Sequence, residues 1–565
     1  MKKLTRVFLA VVCCALLLAG CGGSMSVEKD PPEGSSPLTT PENGQTQSDD
    51  PFSKYDETVV IKVARAVNPN VTYPEGDSIE DNHYVRDILK ELNIKVEYDW
   101  VSSEADFDQK MNLAISSNTI PDAVMVNPTQ FQSMREYKLI ESLDGAFEQY
   151  GSDMLKSFYL SGGEALAQLC TENGSMMAVP APKVKSNGFY AMWIRQDWLN
   201  EMNLQVPTTM EELKAVAKAF AGRAKDVVGI IGPDRGRDLT RQVDNSFGFD
   251  PIFAAYRSFP QYYLRDESGE IVYGSTTPET KKALAELASM YAEGMIDPEM
   301  MIRENSLQLA LDNKGGIFFA PWWMGYNLAD AYWQENPADW QAYTPPLSDD
   351  GKLYAHMPPP SDAFLVVRKG YEHPEAAIKI INLLLRDEPK WVEEGIVDSI
   401  GLGWVYPLFS VFDNSDEIEV SYELLTQFLE GKITMEDVDF STHKLLKGDM
   451  KAIEILKKEP LADFSIHNWD LKNEAAPSNL PRLISIMVGG KPLATVKDLV
   501  EIYSLTYTRT ETMVSRQASL DRMEEEVFTK IIMGQEPVDS FDRFVSDWLA
   551  QGGSQILKEV GALVD

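Results

Sequence analysis

The alternation of short apolar strands with amphipathic helices behind residue 58 restricts this chain to few folds. Val59-Val60-Ile61-Lys62-Val63 is β-branched and reads as a strand. Val85, Ile88, Leu89 and Leu92 then recur at i, i+3, i+4 and i+7, the spacing of one helix face, and Asn93 suits that helix's end. Ile94-Lys95-Val96-Glu97-Tyr98 returns to strand period, Phe107, Met111, Ala114 and Ile115 mark a second helix, and Pro121 to Val126 a third strand. This βαβαβ order predicts a parallel sheet with helices on both faces.

The same grammar continues. Ala191 to Ile194 reads as a strand, and Thr208-Thr209-Met210-Glu211 as a capping box before a helix with Leu213, Val216, Ala217 and Phe220 on its apolar face. Thr277-Pro278 opens a helix carrying Leu284, Leu287, Ala288 and Tyr291, with Gly294 placed to close it. Phe364 to Val367 is a strand, and Pro374 opens a helix with Ala377, Ile378, Ile381, Leu384 and Leu385. After about Glu393 the chain is mainly helical. At 565 residues it exceeds one α/β core, so two α/β lobes are expected, with crossings near Val179-Pro180-Ala181-Pro182 and between Pro345 and Pro360. There is no internal repeat and no coiled-coil heptad.

The first residues read as a targeting segment. Lys2, Lys3 and Arg6 precede an apolar run from Val7 to Leu18, too short to span a bilayer comfortably. It ends in Leu18-Ala19-Gly20-Cys21, which resembles the bacterial lipobox, in which the Cys is diacylated. Residues 1–20 are thus expected to be a lipoprotein signal peptide, and 21–56 the lipidated Cys21 with a flexible tether. Gly22 to Lys54 is rich in Gly, Ser, Pro, Asp and Thr and poor in large apolar residues. Cys13 and Cys14 leave with the signal, so Cys170 is the one thiol expected to remain, as a small buried apolar residue. The formal charge of -35 becomes about -38 without those three cations (-35 - 3), and such a surface repels nucleic acid and anionic lipid.

Catalytic signatures are missing. There is no G-x-S-x-G elbow, H-E-x-x-H or P-loop, and no twelve-residue calcium loop. His83, His356, His373, His443 and His467 contain no i,i+3 or i,i+4 pair, so helix-borne zinc is unsupported. Carboxylates abound, and counting them does not exclude a glycosidase, but the element order lacks the eight βα units of a barrel.

At the level of whole segments the chain resembles an extracellular solute-binding protein of ABC importers, in the maltose-binding-like family 1. Within that family it is most similar to long lipoproteins of the Paenibacillus and Bacillus type. The resemblance is carried by PDAVMVNPTQFQSMREYKLIESLDGAFEQY, ENGSMMAVPAPK, FYAMWIRQDWLNEMNLQVPTTMEELKAVAKAF, Tyr291 to Glu299, Gly315 to Trp323, HPEAAIKIINLLL and FDRFVSDWLAQGGSQILKEV, in that order. It implies a two-lobe α/β periplasmic-binding-protein-like fold of type II. Each lobe would be a mainly parallel sheet flanked by helices, with a hinge between lobes and a helical C-terminal region. By the same resemblance lobe one is 57–183 plus 358–400, and lobe two 184–357 plus 401–565. The implied function is capture of a sugar or oligosaccharide by lobe closure at the outer face of the cell membrane, and delivery to ABC permease subunits by a monomer. No cofactor, metal or catalysis is implied. The same fold binding a non-sugar ligand or serving a sensor is the alternative, and a secreted glycoside hydrolase a remote one.

A sugar site needs aromatic platforms beside planar hydrogen-bonding groups. Pro321-Trp322-Trp323 follows the apolar strand Gly316 to Ala320, and the resemblance puts a sugar-stacking Trp at this strand end. Ligands of open α/β sheets bind outside strand carboxyl ends, which also draws in Asn127 and Thr129 after Val126 and Asn68 after the first strand. Asn-Pro at 127–128 is equally plain turn chemistry. Tyr190 and Trp193 flank the crossing into lobe two, and strand alternation sends one to the cleft and the other to the core. Arg237, Asp244, Trp404, Tyr507 and Arg509 complete the candidate set.

Overall fold

The computed structural model describes residues 50–564 except 68–72, 74, 236–238, 241–245, 335–336, 394–407, 409–412 and 459–467, with the backbone alone at 104–105 and 392–393. Cys21, most of the expected tether, Asn68, Arg237, Asp244 and Trp404 therefore lie outside the described residues.

The strands that build the site are, in chain order, β1 (Val59–Val67), β2 (Ile94–Ser103), β3 (Ala123–Val126), β4 (Val179–Pro180), β5 (Ala191–Arg195), β6 (Val228–Ile230), β7 (Gly315–Ala320), β8 (Trp340–Tyr343), β9 (Leu353–His356), β10 (Phe364–Val367) and β11 (Leu499–Ile502). The helices around them are α1 (His83–Leu92), α2 (Glu104–Ser117), α3 (Pro128–Glu136), α4 (Met210–Ala221), α5 (Pro278–Ala292), α6 (Met324–Asn327), α7 (Pro374–Glu393), α8 (Glu417–Leu429), α9 (Leu446–Leu456), α10 (Ala476–Ile484) and α11 (Glu511–Ile532).

The βαβαβ pattern yields parallel pairing of β1 with both β2 and β3, in a five-stranded sheet of order β2-β1-β3-β10-β4. Asn82 caps α1 by accepting from the Tyr84 and Val85 amides, and Asn93 closes it in the left-handed conformation. The buried face of α1 is Tyr84, Ile88 and Leu92, while Leu89, expected inside, is 43% exposed. The face is rotated because Tyr84 packs edge-on against Trp391 of α7 at 4.7 Å, an aromatic contact the aliphatic spacing did not contain. Helix α7 buries Ala377, Ile378, Ile381, Leu384 and Leu385 as expected.

The second sheet has the order β8-β5-β7-β6. Alternation along β5 sends Trp193 to a core shared with Phe318, Trp340 and α10, and Met192 and Ile194 to a core shared with Phe220, Leu284 and α11. The late helices thus cover both faces of this sheet. The capping box of α4 is one residue later than the sequence spacing suggested. Thr209 is the N-cap, and Glu212 returns a bond to its backbone, because Glu212 also accepts from the Thr208 amide and hydroxyl. The expected face of Leu213, Val216, Ala217 and Phe220 is buried.

Each sheet holds one reversed strand: β10, antiparallel to β3 and β4, and β5, antiparallel to β7 and β8. Both are the first strand of their sheet after the chain arrives from the other sheet. A crossing enters where the remaining strands end, so the strand that follows must run the opposite way.

The last residues of the stretch read as tether are not free. Asp50 to Tyr55 lie along α7, with Tyr55 buried and its hydroxyl bonded to Glu375 at 2.8 Å.

Candidate functional site

The strand directions concentrate loop chemistry on one edge of each sheet. In the first, the carboxyl end of β3 at Val126 registers with the start of β10 at Phe364. In the second, the carboxyl end of β7 at Ala320 registers with the start of β5 at Ala191. The crossing segments 181–190 and 357–363 leave and enter at these edges and are stitched together. Ala181 N–H donates to the Ala363 carbonyl at 2.9 Å, Lys183 N–H to Pro360 at 2.9 Å, and Lys185 N–H to Ser415 in a third segment at 2.8 Å. Gly188 fits because a Cβ there would stand 2.1 Å from the Pro358 ring. Strand carboxyl ends of both sheets therefore converge on the crossings, where open α/β sheets take ligand.

At the β7 end, Trp322 is half-buried and donates its indole N–H to the Asn187 carboxamide oxygen at 2.8 Å. Trp323 is half-buried beside it, and Tyr326 of α6, 42% exposed, stands edge-on to Trp322 at 6.3 Å. At the β3 end, Asn127 caps α3. Its oxygen accepts from Gln130 N–H at 2.9 Å and its amide donates to Asp108 at 3.2 Å, so both halves of the side chain are engaged. Thr129 is exposed in the first turn of α3.

Trp193 is wholly buried, its indole N–H donating to the Ala320 carbonyl at 3.2 Å, so it supports the β7 end from beneath. Tyr190 is buried on the opposite face and lines a small concavity with Phe189, Asp250, Tyr354 and His356. Both residues thus meet cores, since this sheet is covered on each face and alternation offers no open side. Burial holds the His356 imidazole neutral, its pKa lowered to about 3. Tyr507 braces the second crossing: its hydroxyl donates to the Met357 carbonyl and accepts from Ser504 N–H, each at 3.0 Å. Arg509 is exposed and has no ion-pair partner among the described residues.

Charge at the crossings is largely matched. Lys183 pairs with Asp362 at 2.6 Å, and Lys185 with Glu501 at 3.5 Å. Burial pushes the nearby Glu419 carboxyl up to about 7. Asn187, Tyr326 and these ion pairs were missed from sequence. Asn187 lies in a polar run with no periodicity, and Tyr326 follows the Trp pair without a distinguishing motif. Among the described residues no group of three or more His, Cys, Asp or Glu is placed to hold a metal, and no helix is long and apolar enough to cross a membrane.

Two sheets joined by crossings at their strand ends define the two-lobe, type II solute-binding fold. Residues 78–391 match the bacterial extracellular solute-binding protein family, and the chain belongs to it. It is 22% identical over 245 residues to the fructooligosaccharide ABC transporter substrate-binding protein FusA of Streptococcus pneumoniae, a match covering 40% of this chain and 44% of FusA. The chain thus spans less than half the length of that relative. Lipoprotein LipO of Bacillus subtilis is 20% identical over 505 residues, covering 87% of this chain and 90% of LipO. Among solved structures, the HMO-binding ABC-transporter-associated solute-binding protein of Bifidobacterium longum infantis superposes with a TM-score of 0.55 at 15% identity. That superposition covers 89% of this chain and 98% of that one.

Proposed function

We propose that this chain captures a sugar or oligosaccharide outside the cell and delivers it to an ABC importer. It would do so as a monomer, anchored to the membrane by a lipid on Cys21. The observation that carries the reading is the convergence of both sheets' strand ends on the crossings, with half-buried Trp322 and Trp323 and exposed Tyr326 at one of them. Aromatic faces stack on sugar C–H surfaces, and matched ion pairs leave an environment suited to a neutral ligand. The names of FusA and of the HMO-binding protein support the sugar class, and LipO supports the lipoprotein.

Lobe one is then 57–183 plus 358–400, and lobe two 184–357 plus 401–565. Ligand bound between them favours the closed state by its greater affinity for it, and hinge motion falls on the crossings. Asn127 and Thr129 border the cleft from lobe one, Trp322 and Trp323 from lobe two, while Tyr507 braces a crossing and Trp193 supports the platform. The ligand leaves chemically unchanged.

The test is a thermal-shift screen of the chain from Val27 onward, since residues 49–565 form one compact unit. Fructo-, malto-, galacto- and xylo-oligosaccharides are compared with peptides and amino acids. Ligand at about 100 times its Kd stabilises by roughly 2.7 kcal/mol. A shift with one sugar series, and recovery of that sugar intact, supports the proposal. A shift with peptides alone overturns the sugar class, and hydrolysis of the sugar overturns the receptor reading. Labelled palmitate entering the full chain but not Cys21→Ala tests the anchor.

A further inference from the structure

We infer that Asn187 is a positioning residue for Trp322, fixing the indole plane and tying that ring to the hinge crossings. The inference rests on the reading of Trp322 as part of the ligand platform.

Trp322 has one polar side-chain atom, and Asn187 satisfies it at 2.8 Å across 135 residues of sequence. A Trp ring left half-buried at a strand end has two torsions to choose, and a hydrogen bond to the ring edge selects one orientation without covering a face. The backbone of Trp322 is held separately. Gly489 approaches so closely that a Cβ there would stand 2.2 Å from the Trp322 carbonyl oxygen. The main chain is thereby fixed from one side and the ring edge from the other.

The position of Asn187 gives this bond its second consequence. Asn187 ends a single turn, Lys185–Asn187, in the first crossing. That turn is bonded through Lys185 to Ser415, and Lys183 just before it to Pro360 in the second crossing. Gly188, the next residue, abuts Pro358. The turn that carries Asn187 is therefore tied to the second crossing and to Ser415 just before α8, whereas Trp322 belongs to the second sheet. A ligand that pushes on Trp322 pushes through this bond on the segments that must rotate for closure.

The experiment compares the wild type, Asn187→Ala, Asn187→Asp, Trp322→Phe, Trp322→Ala and the Asn187→Ala/Trp322→Phe double variant, all from Val27 onward. The first readout needs no sugar: the Trp322 indole N–H resonance, assigned by its loss in Trp322→Phe. In the wild type it is protected from solvent exchange. In Asn187→Ala it shifts and loses protection, and in Asn187→Asp, which keeps the acceptor oxygen, protection is retained. An unprotected resonance in the wild type, or one unchanged in Asn187→Ala, overturns the inference. The second readout is affinity for kestose, a short fructo-oligosaccharide. Asn187→Ala weakens binding roughly three- to tenfold, the loss of one neutral hydrogen bond, and adds nothing once Trp322→Phe is present. Additive losses overturn the positioning role. Unchanged kestose binding in a Trp322→Ala variant overturns the platform reading itself, and no kestose binding by the wild type counts against that sugar class. In either case the indole resonance still decides whether Asn187 holds the ring.

Discussion

Lys444 donates its ammonium to the Glu388 carboxylate, and the two residues stand at helices that pack into different cores. Glu388 is on α7, beneath the first sheet, and Lys444 stands just before α9, beneath the second. The Lys444 side chain is 1% exposed and also pairs with Asp413 at 3.0 Å, beside the third crossing segment. Nearby, Arg482 of α10 forms a partly buried two-pronged pair with Asp449 of α9, at 2.7 and 2.9 Å. The contact between α7 and the segment before α9 is thus ionic, and its charges depend on one another.

Removing the cation alone should be costly. Lys444→Met leaves the largely buried Glu388 carboxylate facing the partly exposed Asp413, and removing one partner of a buried pair costs up to about 3–5 kcal/mol. Urea unfolding of Lys444→Met and of the Lys444→Met/Glu388→Leu double variant measures it. The double variant should regain a good part of the loss, because fewer uncompensated charges remain. Equal losses in the two would mean that Asp413, rather than Glu388, is the dominant partner.

Stability should fall as pH rises through neutrality. Glu524 of α11 is fully buried, with its carboxylate bonded by the Tyr273 hydroxyl at 3.1 Å, and burial pushes its pKa up to about 8. The folded state holds a proton that the unfolded chain, with a Glu pKa of about 4.3, releases. The contribution is therefore fully present below the unfolded pKa and is lost as pH rises through about 8. Glu417 and Glu419, also raised by burial, act in the same sense. The melting temperature measured from pH 5 to 9 should decline, and Glu524→Gln, which cannot ionise, should flatten part of that decline. An identical slope in the variant would show that Glu524 is not protonated in the fold.

Elements with a strong period were legible in the sequence, and pairwise contacts were not. The strands β1, β2, β3, β5 and β10 and the apolar faces of α4 and α7 follow from local spacing alone. The face of α1 was rotated because Trp391, about 300 residues away, recruits Tyr84. The capping box of α4 shifted by one residue because two adjacent threonines both offer a hydroxyl to Glu212. At the site, Trp322 was visible because a strand end could be located from sequence, but its partner Asn187 was not. Trp193 and Tyr190 could not be placed because alternation gives two faces without saying that helices from beyond residue 475 cover both.

Gly489→Ala should damage the platform from behind. The added Cβ would stand 2.2 Å from the Trp322 carbonyl oxygen and 2.9 Å from the Trp193 ring, and backbone cannot yield as a flexible side chain can. Overpacking of this kind costs about 1–3 kcal/mol. The expected result is a lowered melting temperature together with weakened sugar binding. At a glycine far from the platform with open space around its Cβ position, such as Gly145, alanine should leave binding unchanged. Stability lost with affinity intact would mean that the Trp322 backbone can shift without moving its ring.

The chain's entry into the first core should be held by one lysine. Lys379 of α7 is buried and donates to the Ser53 carbonyl at 2.9 Å and hydroxyl at 2.8 Å. Its ammonium lies 4.4 Å from the Tyr55 ring centroid and 4.8 Å from that of Tyr150. Along the same helix Glu375, Asn382 and Arg386 take Tyr55, Pro51 and Phe52, so residues at 375, 379, 382 and 386 form one stripe that reads an extended segment. Burial lowers the Lys379 pKa, which shows that the site imposes a desolvation cost that the two rings and Ser53 must offset. Lys379→Met keeps the stem volume but removes both bonds and both ring contacts. Trypsin should then cut after Lys54, which is exposed, about tenfold faster than in the wild type, because cleavage follows the population of the detached segment. Mass spectrometry of the product locates the cut. Unchanged cleavage would show that Tyr55, through Glu375 and the Leu92 carbonyl, holds the segment without Lys379.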